Sequence, residues 1–210
     1  IVGKNIPKNA SVGGYQSLNG AWRPVDTAPF GDGFAMSILF PGAYVFAGRA
    51  LNMPVLENAP DAENKASLVS KYGLDDFLGK YAILPNANIS RYALAGCAAR
   101  MAGAPEGVEP LAWLGLSARD KDAAVRNQEA YYMLMRLYEA RTGTKAETIT
   151  VRNYGNIAGM SGLEDKFKPS LRAAFEAGLA ADAGMSPDAP MKVSEALGAL
   201  EKIEMMRKIH

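Results

Sequence analysis

One histidine and one cysteine bound the chemistry open to this chain. The histidine is His210, the last residue, where fraying is expected. The cysteine, Cys97, lies in an apolar helical stretch with Leu94, Ala95, Ala98 and Met101, so it reads as a buried packing residue rather than a reactive thiol. A single cysteine excludes an intramolecular disulfide. A Ser-His or Cys-His nucleophilic site, or a His-rich metal site, has almost nothing to be built from. The acidic pairs Asp75-Asp76, Glu164-Asp165 and Asp120/Asp122 lack the oxygen-ligand spacing of a calcium loop. The Gly-rich stretch 153–162 has neither Gly-x-Gly-x-x-Gly nor Walker spacing and no following Lys-Ser/Thr, which argues against a phosphate cradle. No cofactor and no metal are expected. A pair of carboxylates facing each other across a cleft, as a glycosidase needs, could be assembled only by the fold.

The bulk numbers are those of an ordinary globular chain. Its 210 residues suffice for one large domain or two small ones with a real core. Hydrophobic residues make up 49% and charged residues 21%, which argues against wholesale disorder. Lys and Arg total 23 against 22 Asp and Glu, a net charge of +1. That balance lacks the electrostatic footprint of a general nucleic-acid binder, so no nucleic-acid partner is expected. The longest uncharged run, Gly33 to Gly48, falls short of the about 20 residues of a membrane helix and is interrupted by Pro41-Gly42. It reads as core, and no membrane span is expected. The chain starts at Ile1 rather than Met, so a processed or truncated start is expected, and an upstream signal peptide stays open.

Residues 1–33, rich in Gly, Asn, Pro and Ser, read as an extended or irregular lead-in anchored by Tyr15 and Trp22. Phe34 to Asn52 is strongly apolar and helix-like, kinked or split at Pro41. Asp61 is a candidate N-cap for a helix over Ala62–Leu74. Further helices are predicted from Ser90, as N-cap, to about Met101, and from about Arg126 to Arg141. Two more are predicted from Pro169 to Leu179 and from about Ser194 to Lys208. Val108–Leu116 is short and apolar, and Thr148–Arg152 reads as a short strand or extended arm. Tyr131 and Tyr132, adjacent on one helix, cannot both face inward.

Self-similarity organises these elements. Three segments align: Pro85-Asn-Ala-Asn-Ile-Ser-Arg-Tyr-Ala-Leu-Ala-Gly, Asp122-Ala-Ala-Val-Arg-Asn-Gln-Glu-Ala-Tyr-Tyr-Met, and Pro187-Asp-Ala-Pro-Met-Lys-Val-Ser-Glu-Ala-Leu-Gly. Each is a turn-forming loop, one apolar residue (Ile89, Val125, Met191), a four-residue helix start and an Ala-rich amphipathic helix. The pattern resembles a set of three S-layer homology repeats, over about 62–104, 105–147 and 148–208, after an N-terminal extension over 1–61. A decayed fourth loop-helix half is suggested at Val25–Asn52. The four-residue starts are Ser90-Arg91-Tyr92-Ala93, Arg126-Asn127-Gln128-Glu129 and Lys192-Val193-Ser194-Glu195. Only the first keeps the family's arginine; only the second and third keep its glutamate. Their uneven spacing implies an insertion in the third unit.

The resemblance implies a mainly α fold: three helix-loop-helix repeats around a central bundle with pseudo-threefold symmetry. It implies a non-catalytic module on the outside of a bacterium, binding a secondary cell-wall polysaccharide, such as an acidic glycan, in grooves between the repeats. Carried over, Arg91 holds the position of the arginine that pairs with acidic groups on the glycan, which suits a guanidinium at a helix start. Asn127 and Val193 replace it in the other two units. Arg91 has a second reading, as a partner for a carboxylate on the next repeat. Arg126 reads as a ligand residue or a solvated helix-start residue. Glu129 and Glu195 read as binding residues or first-turn carboxylates that favour the helix dipole and caps. Trp113, before a Gly-Leu, reads as a sugar platform or a core residue. Two further functions stay open: a structural or protein-binding repeat that has lost glycan affinity, and a helical lysozyme-like hydrolase using Asp or Glu. Oligomeric state is not legible.

Overall fold

The computed structural model describes residues 2–3, 10–18, 21–25, 27–30, 33–36, 38, 41–50, 65, 68–69, 71–79, 86–150, 162–180 and 186–206. Among them the fold is mainly helical, with six α-helices and one 3-10 turn. Contacts divide the chain into two units, Ile1–Asp75 and Asp76–His210.

All six named strands fall in the first unit: β1 (Val2–Gly3), β2 (Ala10–Leu18), β3 (Ala21–Val25), β4 (Thr27–Phe30), β5 (Gly33–Met36) and β6 (Tyr44–Ala50). They form two antiparallel three-stranded sheets, in the orders β1-β5-β4 and β3-β2-β6. Of the two readings of the lead-in over 1–33, extended or irregular, the described residues take the extended one, as paired strands. One expectation is corrected. The helix expected in Phe34–Asn52, and with it the helical half of a fourth repeat, is replaced by β5 and β6. An uncharged apolar run has no period with which to separate helix from strand. Here Gly33, Pro41, Gly42 and Gly48 oppose a helix, while Tyr44, Val45 and Phe46 favour a strand. The sheets approach closely at Gly14, whose N–H donates to Thr27 Oγ1 at 2.7 Å. A Cβ on Gly14 would meet that same oxygen at 2.7 Å, so only glycine fits. Asp61 lies outside the described residues; Lys65, Leu68, Val69, Lys71 and Tyr72 are helical, as predicted.

The second unit holds α1 (Asp75–Leu78, which begins at the boundary), α2 (Arg91–Ala102), α3 (Pro110–Trp113), α4 (Asn127–Thr142), the 3-10 turn η1 (Ala146–Thr148), α5 (Lys168–Glu176) and α6 (Val193–Met206). Ser90 caps α2 as expected, its hydroxyl accepting from the Ala93 N–H at 3.1 Å. Gly103 and Gly143 close α2 and α4 with φ of 80° and 75°, the left-handed conformation that costs glycine least. Glu109 caps α3 through the Ala112 N–H at 2.6 Å. Thr148 ends η1 rather than opening a strand, its hydroxyl donating to the Lys145 carbonyl. The Gly-rich stretch lies, apart from Gly162, outside the described residues.

Helix α4 packs against α2, α5 and α6. Leu94, Cys97, Met101, Met133, Leu134, Leu137, Leu171, Leu200 and Ile203 are fully buried, which makes this the main core. Burying a side chain of that size stabilises the fold by roughly 1.5–3 kcal/mol each. Phe77 of α1 lies so close to α2 that a Cβ on Gly96 would meet its ring at 2.1 Å. The same ring stands edge-on to Tyr92, with centroids 6.0 Å apart. Tyr131 is buried and Tyr132 half-buried, as adjacency on one helix requires. Among the described residues no helix is long and apolar enough to cross a membrane.

Candidate functional site

The loops before α2, α4 and α6 meet through their aligned apolar residues. The Ile89 N–H donates to the Met191 carbonyl, the Val125 N–H to the Ile89 carbonyl and the Met191 N–H to the Val125 carbonyl, each at 3.0 Å. The bonds run from one loop to the next and return to the first. Bridge pairs flank each contact: Ser90 with Ala124, Arg126 with Pro190, and Lys192 with Asn88. All three apolar side chains are buried, with 0–1% of their surface exposed.

The helix starts are tied to the neighbouring loops in the opposite cyclic sense. The first N–H of α2, α4 and α6 (Arg91, Asn127, Val193) donates to Ala123, Ala189 and Ala87 respectively, each at 2.9 Å. The next N–H of α2 and of α4, from Tyr92 and Gln128, donates to Lys121 at 2.8 Å and Pro187 at 3.0 Å. Donors that would otherwise make a helix N-terminus an anion site are therefore used within the chain.

Arg91 is likewise occupied. Its Nε donates to both Glu129 carboxylate oxygens, at 3.1 and 2.8 Å, and its Nη2 donates to Glu129 Oε1 at 2.5 Å. The remaining reach of the guanidinium goes to the backbone carbonyls of Arg119 and Ser117. Both side chains are about 15% exposed. The Glu129 carboxylate raises the Arg91 pKa above its ordinary value, chiefly through the hydrogen bond and against the opposing effect of burial. Of its two sequence readings, the geometry shows the pairing with a carboxylate, here on another helix.

At the next junction Asn127 stands where Arg91 does. Its amide nitrogen donates to the Ser186 carbonyl at 3.0 Å, so it too holds a loop carbonyl, with a shorter reach. Gln128 extends the contact: its Nε2 donates to Asp188 Oδ1 at 2.8 Å, and its Oε1 accepts from the Glu164 N–H at 3.4 Å. Glu195, the counterpart of Glu129, is exposed and accepts from the Lys192 N–H at 2.8 Å, half of a capping box. At the third junction the corresponding residues, Val193 and Ala93, are both apolar and buried.

Two candidates remain accessible. Arg126 is 65% exposed and its only described ion pair, with Asp188, spans 3.5 Å between exposed side chains, a weak contact. Trp113 is half-buried at the end of α3, and its indole N–H donates to no described residue. Beside it Tyr132 donates its hydroxyl to the Leu114 carbonyl at 3.2 Å and stands edge-on to Phe167 at 5.6 Å. The six residues singled out on sequence therefore divide. Arg91, Glu129 and Asn127 bind other parts of the chain, Glu195 caps its own helix while staying exposed, and Arg126 and Trp113 keep accessible surface. The parts of Gln128 and Asp188 were not legible in the sequence, since ordinary polar residues acquire them only when the third loop folds back.

Among the described residues no group of three His, Cys, Asp or Glu side chains is placed to hold a metal ion. Cys97 is fully buried, and desolvation pushes its thiol up to about 12, far from a reactive thiolate. Comparison with known protein families, curated proteins and solved structures finds no match to this chain.

Proposed function

We propose that the chain is a non-catalytic anchoring protein of the S-layer-homology type, in which three helix-loop-helix repeats with pseudo-threefold symmetry hold the N-terminal unit to a polysaccharide of a bacterial cell wall. The observation that carries the reading is the cycle of hydrogen bonds through Ile89, Val125 and Met191, the positions that the repeat alignment makes equivalent. Uneven spacing of the starts, at 90, 126 and 192, makes such a meeting improbable unless the three segments are copies of one unit. Trp113, half-buried, and Arg126, exposed, offer an aromatic face and an accessible guanidinium for a glycan. Export to the cell surface is part of the proposal.

Pull-down of the whole chain with purified wall polysaccharide tests it. Binding that falls on Trp113→Ala or Arg126→Ala supports the reading; no binding by the intact chain sinks it. One observation favours a second reading, a structural or protein-binding descendant without glycan affinity: the Arg91 guanidinium is spent on Glu129 and two carbonyls. That reading predicts a folded chain that ignores the polysaccharide and loses stability, rather than binding, on Arg91→Ala.

A further inference from the structure

Within the connection from α3 to α4, every residue from Ser117 to Ala124 is exposed, and two of them, Arg119 and Lys121, are basic. The Arg119 guanidinium pairs with no described residue. An exposed loop with free basic side chains is a natural target for a protease that cuts after such residues. That enzyme needs the chain extended, with the carbonyl oxygen of the basic residue placed in its oxyanion hole. Both of the carbonyls it would need are already engaged within this chain.

The Arg119 carbonyl accepts from Arg91 Nη1, and the Ser117 carbonyl accepts from Arg91 Nη2 at 3.1 Å. The Lys121 carbonyl accepts from the Tyr92 N–H at 2.8 Å. Asp120, between the two basic residues, has a φ of 52°, and its carbonyl accepts from the Ala123 N–H at 3.0 Å. The chain therefore turns back where a bound substrate runs straight. The two cleavable bonds differ in what guards them. A backbone N–H in the first turn of α2 holds the Lys121 carbonyl, and the Lys121 ammonium lies over the Tyr92 ring, 5.4 Å from its centroid. Among the described residues the Arg119 carbonyl is held by a side chain alone. Glu129 fixes that side chain, with its oxygens 2.5–3.1 Å from the Arg91 nitrogens.

We propose that the Arg119–Asp120 bond is a latent cleavage site for a trypsin-like endoprotease, kept shut by the Arg91 guanidinium, with Glu129 acting through Arg91. Opening requires that guanidinium to leave two carbonyls, while the backbone bonds from Arg91 and Tyr92 to the loop stay in place. The protease supplies its own nucleophile. Water then adds across the peptide bond, leaving a carboxylate on Arg119 and a free amino group on Asp120. The N-terminal unit and α1 to α3 end on one fragment and α4 to α6 on the other. Such a latch is independent of any glycan.

Timed trypsin digestion of the full chain, with each cut located by mass spectrometry, tests it. A synthetic peptide spanning Leu116 to Val125 gives the intrinsic rate at both bonds, flanking aspartates included. In the parent, cutting after Arg119 is expected to be at least about a hundredfold slower than in the peptide, because it waits for the loop to open. Arg91→Ala speeds that cut about tenfold or more, the effect of losing hydrogen bonds from a charged donor, and changes the cut after Lys121 by less than about twofold. Arg91→Lys, which keeps a cation for Glu129 but lacks the fork, takes its place if circular dichroism finds the alanine variant unfolded. Glu129→Gln speeds the cut after Arg119 by a smaller factor. A parent cut after Arg119 as fast as the peptide overturns the proposal. So does a folded Arg91 variant that leaves this rate unchanged or raises both cuts alike.

Discussion

The Arg91 guanidinium lies alongside the Glu129 carboxylate, joining the start of α2 to the first turn of α4 across 38 residues of sequence. Neither side chain is more than 15% exposed, so the pair is partly desolvated and its loss leaves a charge without its partner. Arg91→Ala and Glu129→Ala should each lower stability by about 2–3 kcal/mol, and the double variant by less than the sum. Chemical denaturation of the four proteins of that cycle measures the coupling. Strict additivity would show the contact to be incidental.

The packing of Phe77 over Gly96 makes a sharper steric prediction. Gly96→Ala places a methyl where the ring now lies, at 2.1 Å, and should destabilise the chain by about 1–3 kcal/mol although alanine is the better helix former. Combining it with Phe77→Ala should cost less than the two changes added together. A thermal melt in which Gly96→Ala alone raises the midpoint would refute the contact.

The meeting point of the three loops can be probed by truncation. Ile89→Ala and Met191→Ala remove fully buried side chains and should each cost about 2–5 kcal/mol. The same change at Ile38, which is 50% exposed, should cost under about 0.5 kcal/mol. Denaturant midpoints at constant slope provide the comparison.

Cys97 makes stability depend on alkaline pH. Its folded-state pKa lies near 12, above the ordinary thiol value of 9.0, because burial disfavours the thiolate. The unfolded chain therefore loses this proton first, so the stabilisation is complete below pH 9.0 and is lost as pH rises from there towards about 12. Cys97→Ala should flatten this part of the stability profile. A thiol reagent should label the folded parent only at the rate of unfolding; prompt labelling at neutral pH would contradict its burial.

The helices were legible because their ends are written locally. Ser90, Gly103 and Gly143 each mark a terminus by a property of one residue, and α2 and α4 fall within a residue or two of the expected limits. The alignment of Ile89, Val125 and Met191 was likewise available in the order of residues, and these are the three that meet. The run Phe34–Asn52 reads as helix in sequence, because the strands of the first unit declare themselves only through pairing. Leu18 pairs with Ala21 across Asn19-Gly20, a dipeptide that signals a tight hairpin and outweighs the apolar run that follows it. The fate of Arg91 was not legible, since a guanidinium offers the same fork to an external carboxylate as to Glu129. Only the spatial arrangement of α2 and α4 decides between them.

The hydrogen bonds through Ile89, Val125 and Met191 form a loop with no first or last member. Open solenoids can gain or lose a copy at either end and need special terminal units to shield the exposed faces. Here each of the three N–H groups and each of the three carbonyls is already engaged within the cycle, which leaves no open end. Removing any one of the three loops breaks two of the three bonds, so the segments leading into α2, α4 and α6 should fold together or not at all.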